Sequence, residues 1–219
     1  MKLGPYTSKI HTEELIELLN LWQYPAGVQA KLTKLIKANA KGIEGPHLFR
    51  YYNPRPSKVA EAERQMARYI GTKHCLAVNS CTSALIASLR ALGVGAGDEV
   101  IVPGYTFFAS AAVIGACNAI PVIADVDDTL TVDPHDLERK ITKRTKAVIV
   151  VHMRGMPAQM DKIMHICKKR GVPVIEDVAQ AVGGMYRGKM LGSIGTMGCF
   201  SFDYYKILNS GEGGFITTN

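Results

Sequence analysis

At 219 residues and 47% hydrophobic side chains, the chain has the apolar mass for a sizeable buried core, which excludes an intrinsically disordered segment. Lys and Arg outnumber Asp and Glu by 26 to 19, a formal charge of +7, yet the basic residues are scattered along helix-like stretches (Lys31, Lys34, Lys37, Lys168 to Arg170) without interleaved aromatics. That pattern argues against a nucleic-acid partner and suits solvated helix faces or an anionic small ligand.

The first 20 residues mix charges with leucines and lack the uninterrupted apolar stretch of a secretory signal, so a mature cytosolic start is expected. Leucines and isoleucines recur at helical spacing over Thr12–Asn20 and Val28–Ala40, with Pro25, Gly27, Gly42, Gly45 and Pro46 as punctuation. Residues 1–50 therefore read as an N-terminal helical extension and residues 51–219 as the main domain. Asn53-Pro54-Arg55-Pro56 forms an extended connector, because proline restricts both itself and its predecessor, before a helix over Lys58–Ile70.

From His74 onward β-rich runs alternate with helical ones. The strands are Cys75–Asn79, Glu99–Val102, Ile120–Ala124, Ala147–His152 and Pro173–Glu176, and the helices Thr82–Leu92, Phe107–Cys117, Pro134–Ile141 and Met160–Arg170. This rhythm predicts parallel strands joined by crossover helices, hence an α/β fold: a three-layer α/β/α sandwich with a mainly parallel central sheet. No charge occurs from Val100 to Ala124, a length that would span a bilayer. Pro103, Gly104, Gly115, Asn118 and Pro121 break that stretch into pieces of a soluble core, so no membrane span is expected. Beyond Asp177 the pattern turns glycine-rich, with strands Gly198–Phe202 and Gly214–Thr217 expected near the sheet edge.

Five cysteines, Cys75, Cys81, Cys117, Cys167 and Cys199, match neither a paired-Cys zinc site nor a compact disulfide framework, so a reducing cytoplasm and no metal site are expected.

Parallel α/β sheets bind ligands beyond the carboxyl ends of their strands. Candidate chemistry lies there. Ser80-Cys81-Thr82-Ser83-Ala84 runs from a strand into a helix, where free amides and the dipole suit a phosphate, although an ordinary Ser/Thr cap would look the same. Pro103 to Phe108 places aromatics after a strand, suited to stacking on a flat ring or simply to core packing. Val174-Ile175-Glu176-Asp177 puts two carboxylates at the end of a buried strand, where a protonated pyridine nitrogen, a magnesium ion or a ribose hydroxyl would compensate them. Cys199 to Lys206 sets a lysine shortly after a strand and before Asn209-Ser210-Gly211-Glu212-Gly213-Gly214, placed to act as a nucleophilic amine if held beside a ligand.

Taken in order, the Ser-Cys-Thr-Ser-Ala helix start, Thr-Phe, Glu-Asp-Val-Ala-Gln, Phe-Ser-Phe with its lysine and Gly-Glu-Gly-Gly resemble the DegT/StrS-type sugar aminotransferases over about Tyr51–Asn219. The resemblance implies the large domain of a pyridoxal-phosphate (PLP)-dependent transferase of fold type I, ending before that family's smaller C-terminal domain. It implies Lys206 as the residue bonded to PLP and Asp177 as the partner of the pyridine nitrogen. Gln180 would lie near the cofactor's phenolic oxygen, Phe107 on its ring, and Thr82 and Ser201 on its phosphate.

Two positions depart from the family pattern: Cys81 replaces the usual glycine and Thr196 a common acidic residue. Either the backbone at Cys81 needs a left-handed conformation, at a cost glycine would avoid, or its N–H still faces the phosphate; the latter is the reading taken. The implied substrates are glutamate or glutamine as amino donor and a keto-sugar, commonly nucleotide-linked, with a homodimer as the working form. Rival readings are a PLP-dependent sugar dehydratase, disfavoured by Lys206 where that branch has histidine, and a non-catalytic or split-enzyme PLP module needing a C-terminal partner. A Rossmann-type nucleotide binder ranks lower because no Gly-x-Gly-x-x-Gly turn follows the first strand.

Overall fold

The computed structural model describes residues 12–39 and 58–219. Two compact units divide at Lys58/Val59. The expected boundary at residues 50/51 and the Asn53–Pro56 connector lie outside the described residues. The first unit holds α1 (Thr12–Asn20) and α2 (Ala26–Asn39), each one turn or less from its expected limits. No residue of α2 is buried, and Leu21, Trp22 and Leu35 are exposed.

The second unit runs α3 (Lys58–Ile70), β1 (His74–Val78), α4 (Cys81–Ala91), β2 (Glu99–Pro103), α5 (Ala109–Ala116), β3 (Ile120–Ala124), α6 (Pro134–Lys140), β4 (Thr145–Val151), α7 (Met160–Arg170), β5 (Val174–Asp177), the short β6 (Met185–Tyr186) and β7 (Lys189–Met190), β8 (Met197–Ser201) and β9 (Gly214–Thr218). Seven strands form one sheet in the order β1-β9-β8-β5-β4-β2-β3. All neighbours are parallel except β9, which runs antiparallel to both β8 and β1. β1 and β3 form the rims; of the two strands expected near the edge, β9 lies next to β1 and β8 one place further in, between β9 and β5. The exposed edge of β1 is partly covered because Glu63 of α3 accepts the Ala77 N–H at 2.9 Å.

Strand alternation explains the layers. In β4, Ala147, Ile149 and Val151 pack with Leu85 and Leu89 of α4 and Val113 and Ile114 of α5. Val148 and Val150 point the other way, against Leu137 of α6 and Met160, Ile163 and Cys167 of α7. Strands buried on both faces read as continuous apolar runs, which is what β2, β4 and β5 show. Met66 and Ile70 of α3 cover Phe200 and Val178 beyond that second layer.

Local chemistry sets the element limits. Ser80 caps α4, its Oγ accepting the Ser83 N–H, and Asp133 caps α6 ahead of Pro134. Gly171, in the left-handed region at φ 68°, closes α7. Phe107 and Phe108 stand before α5 rather than inside it. The segment Val100–Ala124 is split between β2, α5 and β3, and among the described residues no helix is long and apolar enough to cross a membrane.

All five cysteines are free thiols. Burial pushes Cys75, Cys167 and Cys199 up to about 12, and Cys81 well above the usual thiol value, with the Asp177 carboxylate adding to the effect. The native protein at pH 8 should therefore titrate slowly with a thiol-disulfide reagent at these four positions and fully once denatured. Rapid native labelling of Cys81 or Cys199 would contradict their described burial.

Candidate active site

The carboxyl ends of β1, β2, β4, β5 and β8 converge on one side of the sheet, since all five run in the same direction. There they surround a cavity of about 320 Å³. Cys81, Thr82, Phe107, Asp177, Gln180, Ser201 and Lys206, the seven residues singled out from the sequence, all line it. Buried Leu85 and Val151 supply apolar wall.

Asp177 ends β5 and is 6% exposed. Its Oδ1 accepts the Ala179 N–H at 3.1 Å and faces the Cys81 thiol at 3.8 Å, and its Oδ2 accepts the Ser110 hydroxyl at 2.9 Å. No Lys, Arg or His forms an ion pair with it among the described residues. Burial pushes its carboxyl above the usual range, opposed by the Ala179 and Ser110 hydrogen bonds and by the nearby Lys206 amine. A buried carboxylate with only neutral donors around it is poised to be compensated by a cation entering the cavity.

Glu176 belongs elsewhere. One residue earlier on the strand, it lies on the opposite face of the sheet and is fully buried. Its Oε1 accepts the Ile194 and Gly195 N–H groups at 2.8 and 2.6 Å, and its Oε2 the Gly192 N–H at 2.9 Å and His152 Nε2 at 3.0 Å. His152 Nδ1 accepts the Ala158 N–H at 3.2 Å, so Nε2 carries the proton donated to Glu176. The two carboxylates read together from the sequence thus divide: Glu176 pins the Gly192–Gly195 loop, and Asp177 alone faces the cavity.

At the start of α4, the Ser80 cap takes the Ser83 N–H and leaves the amides of Cys81 and Thr82 as first-turn donors with no acceptor among the described residues. Cys81 does not adopt positive φ, so the family glycine is not needed there for conformation. Its side chain turns into the core toward Asp177. The glycine requirement falls instead on Gly214, where an added Cβ would lie 2.6 Å from Phe200 O, 2.7 Å from the Ser80 carbonyl carbon and 2.8 Å from Cys81 N. Gly214→Ala is expected to cost about 1–3 kcal/mol in a urea melt by forcing β9 from the α4 start; an unchanged midpoint would show that this contact yields freely.

Ser201 Oγ accepts the Asp203 N–H at 3.3 Å, which leaves its proton to donate into the cavity. Asp203 then caps its own turn, accepting the Tyr205 N–H at 3.0 Å while its carbonyl takes the Lys206 N–H at 2.9 Å. This short turn carries Lys206, half-buried and without an ion-pair partner among the described residues, to the cavity wall. Gln180 Oε1 accepts the Arg154 N–H at 2.9 Å, so its amide NH2 remains a donor. Phe107 is 58% exposed and Phe108 71%, which discards core packing as the reason for these aromatics; Phe107 alone of the two lines the cavity.

Thr196, without consequence in the sequence, has one here. Its Oγ1 accepts the Val174 N–H at 3.2 Å and its carbonyl accepts the Thr218 hydroxyl at 2.9 Å, tying β5 to the end of β9. Sequence reasoning missed Ser110 and Arg154, which hold Asp177 and Gln180, and quoted Thr106 and Ala179 in motifs without giving them their part, Thr106 behind Ser110 and Ala179 on Asp177. The available signal was a lone hydroxyl in the small apolar helix ASAAVIGA.

The donor set fits a flat pyridine ring bearing a phosphate: amides and hydroxyls at the α4 start and Ser201, an anion for a ring nitrogen, an aromatic for a ring face, and an amine. A three-layer α/β/α sheet with these groups at its strand ends is the large domain of a PLP-dependent transferase of fold type I. The model of the DegT/DnrJ/EryC1/StrS aminotransferase family matches residues 54–219, and the chain belongs to that family.

L-glutamine:2-deoxy-scyllo-inosose aminotransferase of Streptomyces fradiae is 42% identical over 199 residues, 90% of this chain and 46% of that protein. GDP-perosamine synthase of Caulobacter vibrioides is 48% identical over 162 residues, 74% of this chain and 44% of that protein. A candidate sugar aminotransferase of Streptococcus pneumoniae, solved in its PLP-form, superposes with a TM-score of 0.72 at 36% identity over 74% of this chain and 46% of that chain, and its PMP-form gives the same score. The chain thus spans just under half the length of the curated relatives it matches.

Proposed function

We propose that this chain is the cofactor-binding part of a PLP-dependent aminotransferase that moves an amino group from glutamate or glutamine to a keto-sugar, nucleotide-linked, in amino-sugar biosynthesis. The observation that carries the reading is the shared cavity of Asp177 and Lys206: a buried carboxylate and a half-buried amine, neither in an ion pair among the described residues, on the walls of one pocket sized for a small ligand. The relative named for L-glutamine supports that amino donor, and its keto-cyclitol substrate beside the GDP-sugar of the second supports an acceptor of the polyhydroxylated cyclic ketone type.

The Cys81 and Thr82 amides, the Thr82 hydroxyl and Ser201 would hold the phosphate, Phe107 one ring face, and the Gln180 NH2 the phenolic oxygen. PLP, when bound, supplies a carbonyl carbon that takes the donor's nitrogen and a protonated ring that accepts the electron pair of the broken C–H bond. Asp177 holds the proton on the ring nitrogen by remaining an acceptor. Lys206 would be the residue bonded to the cofactor at rest, and its freed Nζ would be the base that takes the donor's α-proton and delivers it to the cofactor carbon on the other side of the shared nitrogen. The same Nζ works in reverse when the keto-sugar arrives. The apolar wall of Leu85 and Val151 keeps water from the reacting centre. Two copies of the protein forming a homodimer is the working assembly proposed.

The test is an absorbance spectrum of the purified chain with PLP, then borohydride reduction and peptide mapping. A reducible band with the label on Lys206, absent in Lys206→Ala, is the expected result; a label elsewhere or none overturns the assignment. A label without turnover, with turnover restored by a C-terminal partner polypeptide, would favour the split-enzyme alternative.

A further inference from the structure

Asp177 is held from two sides, and the second side comes from an element with no other group in the proposed chemistry. Ser110, on the first turn of α5 and 1% exposed, reaches Asp177 Oδ2 at 2.9 Å. Its Oγ also lies 2.9 Å from Thr106 Oγ1. Hydrogen-bond bookkeeping fixes the direction. An ionised carboxylate only accepts, so the single Ser110 proton goes to Asp177, and Thr106 must donate to Ser110. The chain Thr106→Ser110→Asp177 is therefore polarised toward the carboxylate, and the Ala179 N–H meets the other oxygen.

The geometry points to Ser110 as a positioning residue that, backed by Thr106, fixes the plane of the Asp177 carboxylate and keeps it an acceptor toward the ring nitrogen of the cofactor. Ser110 has this role only if the cavity holds PLP as proposed. Two anchors from different elements, the β5 turn and α5, remove the rotation about the Cβ–Cγ bond that one anchor would permit. Thr106 and Phe107 are adjacent and both line the cavity, so the relay also ties the segment carrying the aromatic ring to the carboxylate. The other ionisable groups that bear on Asp177 are Cys81 of α4, Cys199 of β8, His152 after β4, and Lys206. None of them donates to Oδ2.

The test uses the purified protein reconstituted with PLP labelled with 15N in the ring, whose nitrogen shift separates the protonated from the bare ring. Wild type should show the protonated ring. Ser110→Ala should move the loss of that proton to lower pH and weaken PLP binding about tenfold, the loss of one hydrogen bond to a charged group. Ser110→Thr, which keeps the hydroxyl, should restore both readouts, and Thr106→Val should shift them in the same direction by less. Unchanged ring protonation and affinity in Ser110→Ala overturns the role. If Ser110→Ala does not fold, unchanged values in Thr106→Val overturn it instead. An unprotonated ring in wild type, or no PLP bound at all, is a failure of the cofactor reading and is seen before any variant is compared.

Discussion

Glu176→Ala should destabilise the protein by about 3–5 kcal/mol, because the four donors around this buried carboxylate lose their acceptor, at roughly 1–3 kcal/mol each before relaxation. The carboxylate accepts four donors with no exposure, and its loss leaves the Gly192, Ile194 and Gly195 amides and His152 Nε2 without a partner. Glu176→Gln keeps one acceptor oxygen but sets an NH2 group against donors, so it should fall between alanine and wild type. Urea denaturation of the three proteins checks both statements, and a loss under 1 kcal/mol for alanine would mean that the loop finds other acceptors. The damage extends past the loop. Gly192 sits at φ 88° with the Phe200 ring where a Cβ would stand, so the Glu176 anchor also seats the packing beneath β8.

Asp177, the next residue, should behave in the opposite way in the cofactor-free protein. Burial raises its carboxyl, so the folded state binds a proton more tightly than the unfolded chain does. Its contribution to stability therefore falls as pH rises from the unfolded value of about 3.9 toward the higher folded one. Asp177→Asn should be as stable as wild type or slightly more so at neutral pH, with the difference vanishing in acid. A marked loss of stability at neutral pH would show that the Ser110 and Ala179 hydrogen bonds outweigh the burial.

The largest functional effect should come from Lys206→Ala. With no amine to take and return the α-proton, single-turnover transamination in the complete protein is expected to fall by about 10⁴-fold, while PLP is still retained through its phosphate and ring contacts. Stopped-flow spectra with glutamine or glutamate measure this, and partial rescue by a small primary amine would tie the loss to the missing base. A rate within tenfold of wild type would remove Lys206 from the proton transfer.

The alternation of β-rich and helical runs sufficed for the layers, because a strand buried on both faces must be apolar throughout and each crossover helix shows its own period; β2, β4 and β5 appear where the runs predict them. The limits at Asp133-Pro134 and Gly171 were equally legible, being local chemistry. The positions of β8 and β9 were not, since hydrophobic pattern says that a strand is buried but not which neighbour it pairs with. The same distinction divides the site. Residue type and position at strand ends drew attention to Cys81, Thr82, Phe107, Asp177 and Lys206, because such ends gather on one side of a parallel sheet, whereas Gln180 and Ser201 were named only through the resemblance to the sugar aminotransferases, which also supplied the individual roles.

The resemblance pointed to Asp177 rather than Glu176, but only the tertiary structure showed what Glu176 does instead and why the two divide. Adjacent residues on a strand face opposite layers, and the sequence does not say which layer holds the cavity. It also placed the glycine requirement at Gly214 rather than Cys81, gave Thr196 its partners Val174 and Thr218, and set Ser110 against a carboxylate 67 residues away. Such long-range contacts depend on how the layers pack, whereas caps, turns and strand alternation are decided within a few residues of chain.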